Sequence, residues 1–523
     1  MIYRALLAVL LPLLVVPGLC AQDDELTLEA VKDFKTFWRK NRETSSRVEA
    51  IMTLKGNECV PAALELVSLL DDKTEDIRRA AMSVIGTYSS VQTFQSFIDE
   101  LPDMKQQTRR ALLIDVLSRA GIKHALPVMR EIALNDKKAD VHVRTNIAEA
   151  IGRLKDAIGS NAVLAKFLED SEPSVRITAA TTVGDLRIRA LGDKLVPLLS
   201  DTYWQVQAAA IEAVGKVRVA GAIDLLVGLM KKEGRFKTDT AEALFLITTK
   251  DYGADPDEWI KRLKALRSFG WKMPSDAEVA KAKASRKRSD AYYGRKGASK
   301  KTFAKITTTS TRVLFIIDVS GSMEDHIVEK EKFDAGYKDY QKLTIVKSEL
   351  MNTIETLDKN TKFNIVAFAT KLRPWKKGLV FANIVTKSSA KNFVKRLSPL
   401  GGKEAAQMSS VGLSSNLAEG RTNTFKALMY PFNIDPDKAQ KVAFTGGLSR
   451  EFKKNKLDTV FFLSDGKPSI GKYVDTEEIL KEVAKVNKVY RIVIHAIAIG
   501  QFQKEFLRTL AFQNGGEFVD LGF

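Results

Sequence analysis

Apolar residues are spaced in two different ways along this chain, and the change comes near residue 311. Before it, small and apolar residues recur at helical spacing in short segments such as IRRAAMSVIG (77–86), VRITAATTVG (175–184) and VQAAAIEAVG (206–215). A second amphipathic stretch precedes such segments, as in ALPVMREIAL or LGDKLVPLLS. After residue 311, near-continuous apolar runs of strand length (RVLFIID, KFNIVAFA, LDTVFFLSD, YRIVIHAIAIG) alternate with helical segments such as KLTIVKSELMNTIETL and TEEILKEVAKV. Strands apolar on both faces that alternate with helices predict a mostly parallel sheet covered on both sides. The chain is therefore expected to be multidomain, an all-α part followed by an α/β doubly wound, Rossmann-like part.

The helical part repeats. Aligning Ser46-Arg47, Ile77-Arg78, Thr108-Arg109, Val143-Arg144, Val175-Arg176, Val206-Gln207 and Phe236-Lys237 gives steps of 31, 31, 35, 32, 31 and 30 residues, hence seven helix hairpins. Asp72, Asp103, Asp170 and Asp201 each stand five residues before their unit's aligned position, where a carboxylate is expected to cap the second helix. The Arg after the aligned position is expected to reach an acid of the same or a neighbouring unit. Over residues 26–250 the pattern resembles the short HEAT-like helical repeats, which stack into a solenoid because one hairpin cannot bury its apolar face alone. That resemblance implies either a concave protein-binding surface or a plain spacer. DYGADPDEWIKRL (251–263) reads as a capping element. Its Asp251, Asp255 and Asp257 lack the central Gly and final Glu of a calcium loop.

Candidate chemistry gathers in the α/β part. VLFIIDVSGSM (313–323) is an apolar strand that ends in Asp318, Ser320 and Ser322. GRTNTF (420–425) sets Thr422 at the start of a helix, and VFFLSDG (460–466) ends a second strand in Asp465. Parallel sheets bind ligands at the carboxyl ends of their strands. Two carboxylates and three hydroxyls from such ends are hard oxygen donors of the kind Mg²⁺ takes. The same residues also read as strand-end turns with serine caps and no metal.

On these residues the stretch 311–523 resembles a von Willebrand factor type A domain, with its metal-ion-dependent adhesion motif (MIDAS) on Asp318, Ser320, Ser322, Thr422 and Asp465. The resemblance implies that the hydroxyls coordinate Mg²⁺, with Mn²⁺ or Ca²⁺ as alternatives, and that the acids act directly or through water. It also implies a position left open for an Asp or Glu carboxylate of a protein partner. Insertions are expected at 324–340, 403–418 and about 435–456; the first two flank the ion, and they read either as a rim that selects the partner or as mobile loops. The type A domains of integrins carry a further C-terminal helix, and this sequence stops at the strand GEFVDLGF. The helix DAEVAKAKASRKRSDA (276–291) is expected to fill that place. A hydrolase is the weaker reading. The histidines are His124, His142, His326 and His495, and the Gly-x-Ser-x-Gly elbow is absent.

Charge adds one feature. The chain carries 82 Lys and Arg against 64 Asp and Glu, and between Lys261 and Lys305 there are 15 basic residues against three acids. This reads as a basic linker, open to an anionic surface or a polysaccharide. With Tyr292 and Tyr293 as its one adjacent aromatic pair, it is not expected to bind nucleic acid. Residues 1–21, with Arg4, the apolar run Ala5–Val16 and Ala21, read as a signal peptide. The alternative is an anchor, but Pro12 interrupts a run already short for a membrane span. Cleavage leaves Cys59 as the only thiol, and no later segment is apolar enough to cross a membrane.

The expectation is thus a secreted or periplasmic chain: leader 1–21, solenoid 22–260, linker 261–310 and type A domain 311–523. It would be a protein-binding adhesion or scaffold protein and not an enzyme. The alternative is an envelope scaffold whose ion only stabilises the fold.

Overall fold

Each of the seven aligned positions falls in the first turn of the second helix of a hairpin, so the period read from the small residues is the period of the structure. The structure is a computed structural model that describes residues 25–232, 234–293, 302–303, 306–327, 339–411, 417–437, 456–500 and 504–521. The leader at 1–21 lies outside these residues, as do the bulk of the first and third insertions and part of the second. The chain divides into two compact units, residues 1–139 and 140–523. No helix among the described residues is long and apolar enough to cross a membrane.

The first unit holds the helices Glu25–Lys40, Thr44–Thr53, Val60–Ser68, Glu75–Ile85, Val91–Glu100, Gln107–Arg119 and Leu126–Asn135. Their apolar stripes meet in a core with Phe34, Ile51, Leu66, Ile77, Phe97 and Leu113. Arg110 is 2% exposed yet charged, and Asp136 answers it at 2.5 Å.

The second unit begins with Val141–Leu154 and continues through Asn161–Leu168, Pro173–Asp185, Gly192–Leu195 with its 3-10 extension Val196–Ser200, Trp204–Val217, Ile223–Met230 and Phe236–Thr248. Second helices of neighbouring hairpins touch where the repeat places glycine. A Cβ on Gly184 would lie 2.9 Å from Ala213 Cα, and one on Gly215 would lie 2.9 Å from Ala243 Cα. Backbone this close to backbone admits no side chain.

The repeat acids do something other than the expected capping. Asp72, Asp170 and Asp201 sit two residues before the N-caps Thr74, Glu172 and Tyr203, and each accepts from the amide of that residue to close a turn. The carboxylates of Asp170 and Asp201 then receive the guanidinium of the preceding hairpin, Arg144 at 2.7 Å and Arg176 at 2.8 Å. One acid therefore shapes its own turn and ties two repeats together.

Past the last hairpin, Trp259 is fully buried on the helix Pro256–Ser268, donates to Gly253 O at 2.8 Å and packs edge-on against Tyr252. Asp255 caps that helix through the amides of Asp257 and Glu258. The next helix, Asp276–Tyr293, was expected against the sheet but is tied to the hairpins. Asp276 meets Arg189 at 3.0 Å and Arg218 at 2.6 Å, while Arg286 lies over the Phe245 ring and pairs with Glu242. The acid in its first turn finds two guanidinium groups there. Much of the 261–310 stretch is thus helical.

The α/β part opens with a short hairpin of β1 (Thr302–Phe303) and β2 (Ile306–Thr307). Its sheet comprises β3 (Arg312–Asp318), β4 (Lys362–Phe368), β5 (Leu372–Pro374), β6 (Val380–Phe381), β7 (Thr459–Ser464), β8 (Val493–Ala498) and β9 (Phe518–Asp520). The order is β5-β4-β3-β7-β8-β9, with β6 also on β4. The strands β3, β4, β7, β8 and β9 are parallel, and β5 and β6 run antiparallel.

Alternation decides the two faces. Val313, Phe315 and Ile317 pack with Ile345, Val346 and Leu350 of the helix Lys342–Thr356 and with Val394 of Ile384–Lys395. Leu314, Ile316 and Phe462 pack with Leu428 of Thr424–Met429, Val483 of Thr476–Tyr490 and Leu510 of Lys504–Gln513. A buried side chain of this size contributes roughly 1.5–3 kcal/mol, which makes both layers necessary to the fold.

Within the second unit the hairpins meet the α/β part at one end of the sheet. Arg491, just before β8, pairs with Glu212, and its carbonyl accepts from Arg235. Lys488 reaches Glu149 at 3.3 Å, and Thr309, ahead of β3, lies 3.5 Å from Thr238. These contacts lie at the amino ends of β3 and β8.

Candidate metal centre

From β3 the chain crosses to β4 on one side, whereas from β7 it crosses to β8 on the other. The loops after these two adjacent strands therefore part and leave a crevice at their carboxyl ends. Asp318 is the last residue of β3, and the chain beyond it turns through Ser320 into the 3-10 helix Gly321–Glu324. Asp465 follows β7 directly. Thr422 arrives just before the helix Thr424–Met429, whose N-cap Asn423 accepts from Lys426. Gly321 N donates to Gly420 O at 3.1 Å, which holds the Asp-x-Ser-x-Ser loop against the segment that carries Thr422.

Asp318 is fully buried, with Oδ1 accepting from Ser320 N at 2.8 Å and Oδ2 from Ser464 Oγ at 2.6 Å. Ser322 Oγ donates to Asp465 Oδ1 at 2.8 Å and lies 3.3 Å from Ser320 Oγ. A Cβ added to Gly466 would sit 3.2 Å from Thr422 Oγ1 and 3.4 Å from Ser322 Oγ, so the missing side chain keeps open the space between those two hydroxyls. The structure thus brings Asp318, Ser320, Ser322, Thr422 and Asp465 into one crevice.

Burial, and after it the negative charge of Asp465, pushes the Asp318 carboxyl up to about 7, against the hydrogen bonds from Ser320 and Ser464. A cation beside this buried carboxyl would favour its charged form. Among the described residues no group of three or more His, Cys, Asp or Glu could hold a metal, so any ion here would rest on two acids and hydroxyls. The donor set and the gap beside Gly466 fit a small, hard divalent cation.

Two participants escape the motif. Ser464, the last residue of β7, belongs to the Asp318 carboxylate. Lys342, the first residue of its helix, places Nζ 2.5 Å from Asp465 Oδ2 and 3.4 Å from Ser322 O. Ser464 was visible as the serine of LSDG, whereas Lys342 looks like any surface lysine. His495 on β8 stacks on Phe461 at 4.7 Å and accepts from Glu517 N through Nδ1, and His326 forms an isolated bridge with Gln341.

Two family models match parts of this sequence. Residues 311–409 and 422–520 match the von Willebrand factor type A domain. Residues 160–244 match HEAT repeats. The second type A segment begins at Thr422, and residues 410–421, which include the end of the second insertion, fall outside the match. Among curated proteins, inter-alpha-trypsin inhibitor heavy chain H1 of Sus scrofa is 26% identical over 212 residues, and that of Mesocricetus auratus 24%. The match covers 40% of this chain but only 19% and 18% of those relatives. Solved structures with partial likeness include the E. coli protein YibA (18% identity, TM-score 0.33, 51% of this chain and 97% of that one). Another is the PilB minor pilin of Streptococcus sanguinis (14% identity, TM-score 0.26, 42% and 59%).

Proposed function

We propose that this chain is a secreted or periplasmic protein-binding protein, an adhesion or scaffold component, whose type A domain captures an acidic side chain of a partner protein through Mg²⁺ in the β3/β7 crevice. Mn²⁺ or Ca²⁺ would substitute. The observation that carries the reading is the convergence of Asp318, Ser320, Ser322 and Asp465 through mutual hydrogen bonds and contacts, with Thr422 and Ser322 facing the space that Gly466 leaves open. Ser320, Ser322 and Thr422 would hold the ion through their hydroxyls, with Asp318 and Asp465 supplying charge. When bound, the ion offers a Lewis-acidic position to a carboxylate. Asp318 is fixed by Ser320 and Ser464, and its loop is held to the Thr422 segment by the Gly321–Gly420 contact. Such preorganisation limits what binding must spend on ordering.

The test is titration calorimetry of the full chain with MgCl₂ and MnCl₂, beside a pulldown from envelope extract with wild type and Asp318→Ala, with and without Mg²⁺. Ion uptake and a catch that depends on both Asp318 and Mg²⁺ are expected. An identical catch by both proteins removes the adhesion reading. Loss of folding in EDTA with no ion-dependent catch would leave an ion that only stabilises the fold.

A further inference from the structure

We infer that Lys342 is a built-in competitor of the divalent ion: its ammonium occupies Asp465 in the ion's absence, loosens metal binding, and leaves the loaded site with surplus positive charge. The inference rests on the metal reading above and deepens it. Lys342 Nζ lies 2.5 Å from Asp465 Oδ2, and the two side chains are 9% and 0% exposed. Burying an ammonium is costly unless a partner compensates it. Its position as first residue of the helix Lys342–Thr356 makes that cost larger, because the amino end of a helix carries partial positive charge. What holds it there is Asp465, with Ser322 O as a second acceptor at 3.4 Å.

The fold also makes room for it. Gly500, in the loop after β8, approaches so closely that a Cβ there would lie 3.3 Å from Lys342 Cε. A strand end 158 residues downstream thus admits this side chain to the crevice.

The charge balance follows. Asp318 and Asp465 together cancel a divalent ion, but with Lys342 present the loaded crevice keeps one net positive charge. A carboxylate from outside restores neutrality. The lysine therefore trades ion affinity for a stronger demand for an anionic partner, and it compensates Asp465 when no ion is bound.

The experiment uses the full chain stripped with EDTA and titrated with MnCl₂ by calorimetry, comparing wild type, Lys342→Met and Asp465→Asn, with melting temperatures in EDTA and in Mn²⁺. The expected result is that Lys342→Met binds Mn²⁺ at least tenfold more tightly than wild type, melts lower in EDTA, and gains more on adding the ion. Lys342→Gln, smaller and polar, replaces Lys342→Met in the same comparison if the latter does not fold. Equal or weaker Mn²⁺ binding by a folded, uncharged variant overturns the role of Lys342 while leaving the metal site standing. No heat and no melting shift in wild type and both lysine variants overturns the metal site and the inference with it.

Discussion

Ser464 Oγ donates to Asp318 Oδ2 at 2.6 Å across the β3–β7 pair, so the acid that ends one strand is oriented by the hydroxyl that ends its neighbour. Replacing Ser464 with Ala leaves a fully buried carboxylate with one fewer partner, at a cost of about 1–3 kcal/mol. Ser464→Ala should lower the unfolding midpoint of the α/β part and weaken Mn²⁺ binding several-fold in calorimetry. An unchanged affinity would mean that Asp318 does not need this bond to be placed.

Gly466 gives a cleaner separation of folding from ion uptake. Its backbone lies outside the left-handed region, so Gly466→Ala carries no backbone strain. The added methyl enters the gap between Thr422 Oγ1 and Ser322 Oγ. The variant should melt within a few degrees of wild type in EDTA and yet lose most of its Mn²⁺ uptake. Retained uptake would show that the gap is not where the ion sits.

In the repeats, Gly184→Ala and Gly215→Ala should destabilise. Both glycines lie in the last turn of their helices, where Gly to Ala ordinarily stabilises by at most about 1 kcal/mol. Here the methyl must push against Ala213 or Ala243 backbone, and overpacking costs roughly 1–3 kcal/mol, so the sign reverses. Urea unfolding followed by circular dichroism measures it, and a raised midpoint would contradict the contact.

His495 should make stability pH-dependent. Burial, and after it the nearby Arg235, pulls its imidazole from 6.5 down to about 4. Between those values the unfolded chain takes up a proton that the native chain refuses, so stability is full above about pH 6.5 and falls as the pH drops toward 4. The whole shift is worth about 3 kcal/mol. His495→Gln, whose amide oxygen can accept from Glu517 N, should flatten that slope in urea titrations at pH 7 and pH 4.5. Parallel curves for wild type and variant would refute the assignment.

Much of this was legible because the signals are periodic or terminal. The alignment from Ser46 to Phe236 found the second helices because each must place small residues against the next hairpin. Asp318 and Asp465 stood out because apolar strands ended in them. The misreadings concern groups whose partners are distant in sequence. Asp170 looked like a helix cap, but the helix starts two residues later than such a cap requires, and the carboxylate is answered by Arg144. Asp276–Tyr293 has no strongly apolar face to declare its neighbour, and its place is set by Arg189 and Arg218, residues that carry no mark in the sequence. Lys342 was invisible because its burial depends on Gly500 and Asp465.

The contacts of Arg491 and Thr309 with the hairpins lie at one end of β8 and β3, and the crevice lies at the other. Tension between a captured partner and the hairpins would therefore be carried lengthwise through the strands. Lengthwise pulling shears the β3–β7 and β7–β8 hydrogen bonds together, whereas pulling from the side would unzip them one after another. The sheet is mounted like a tie rod, and it resists load best along the line that joins the hairpin contacts to the crevice.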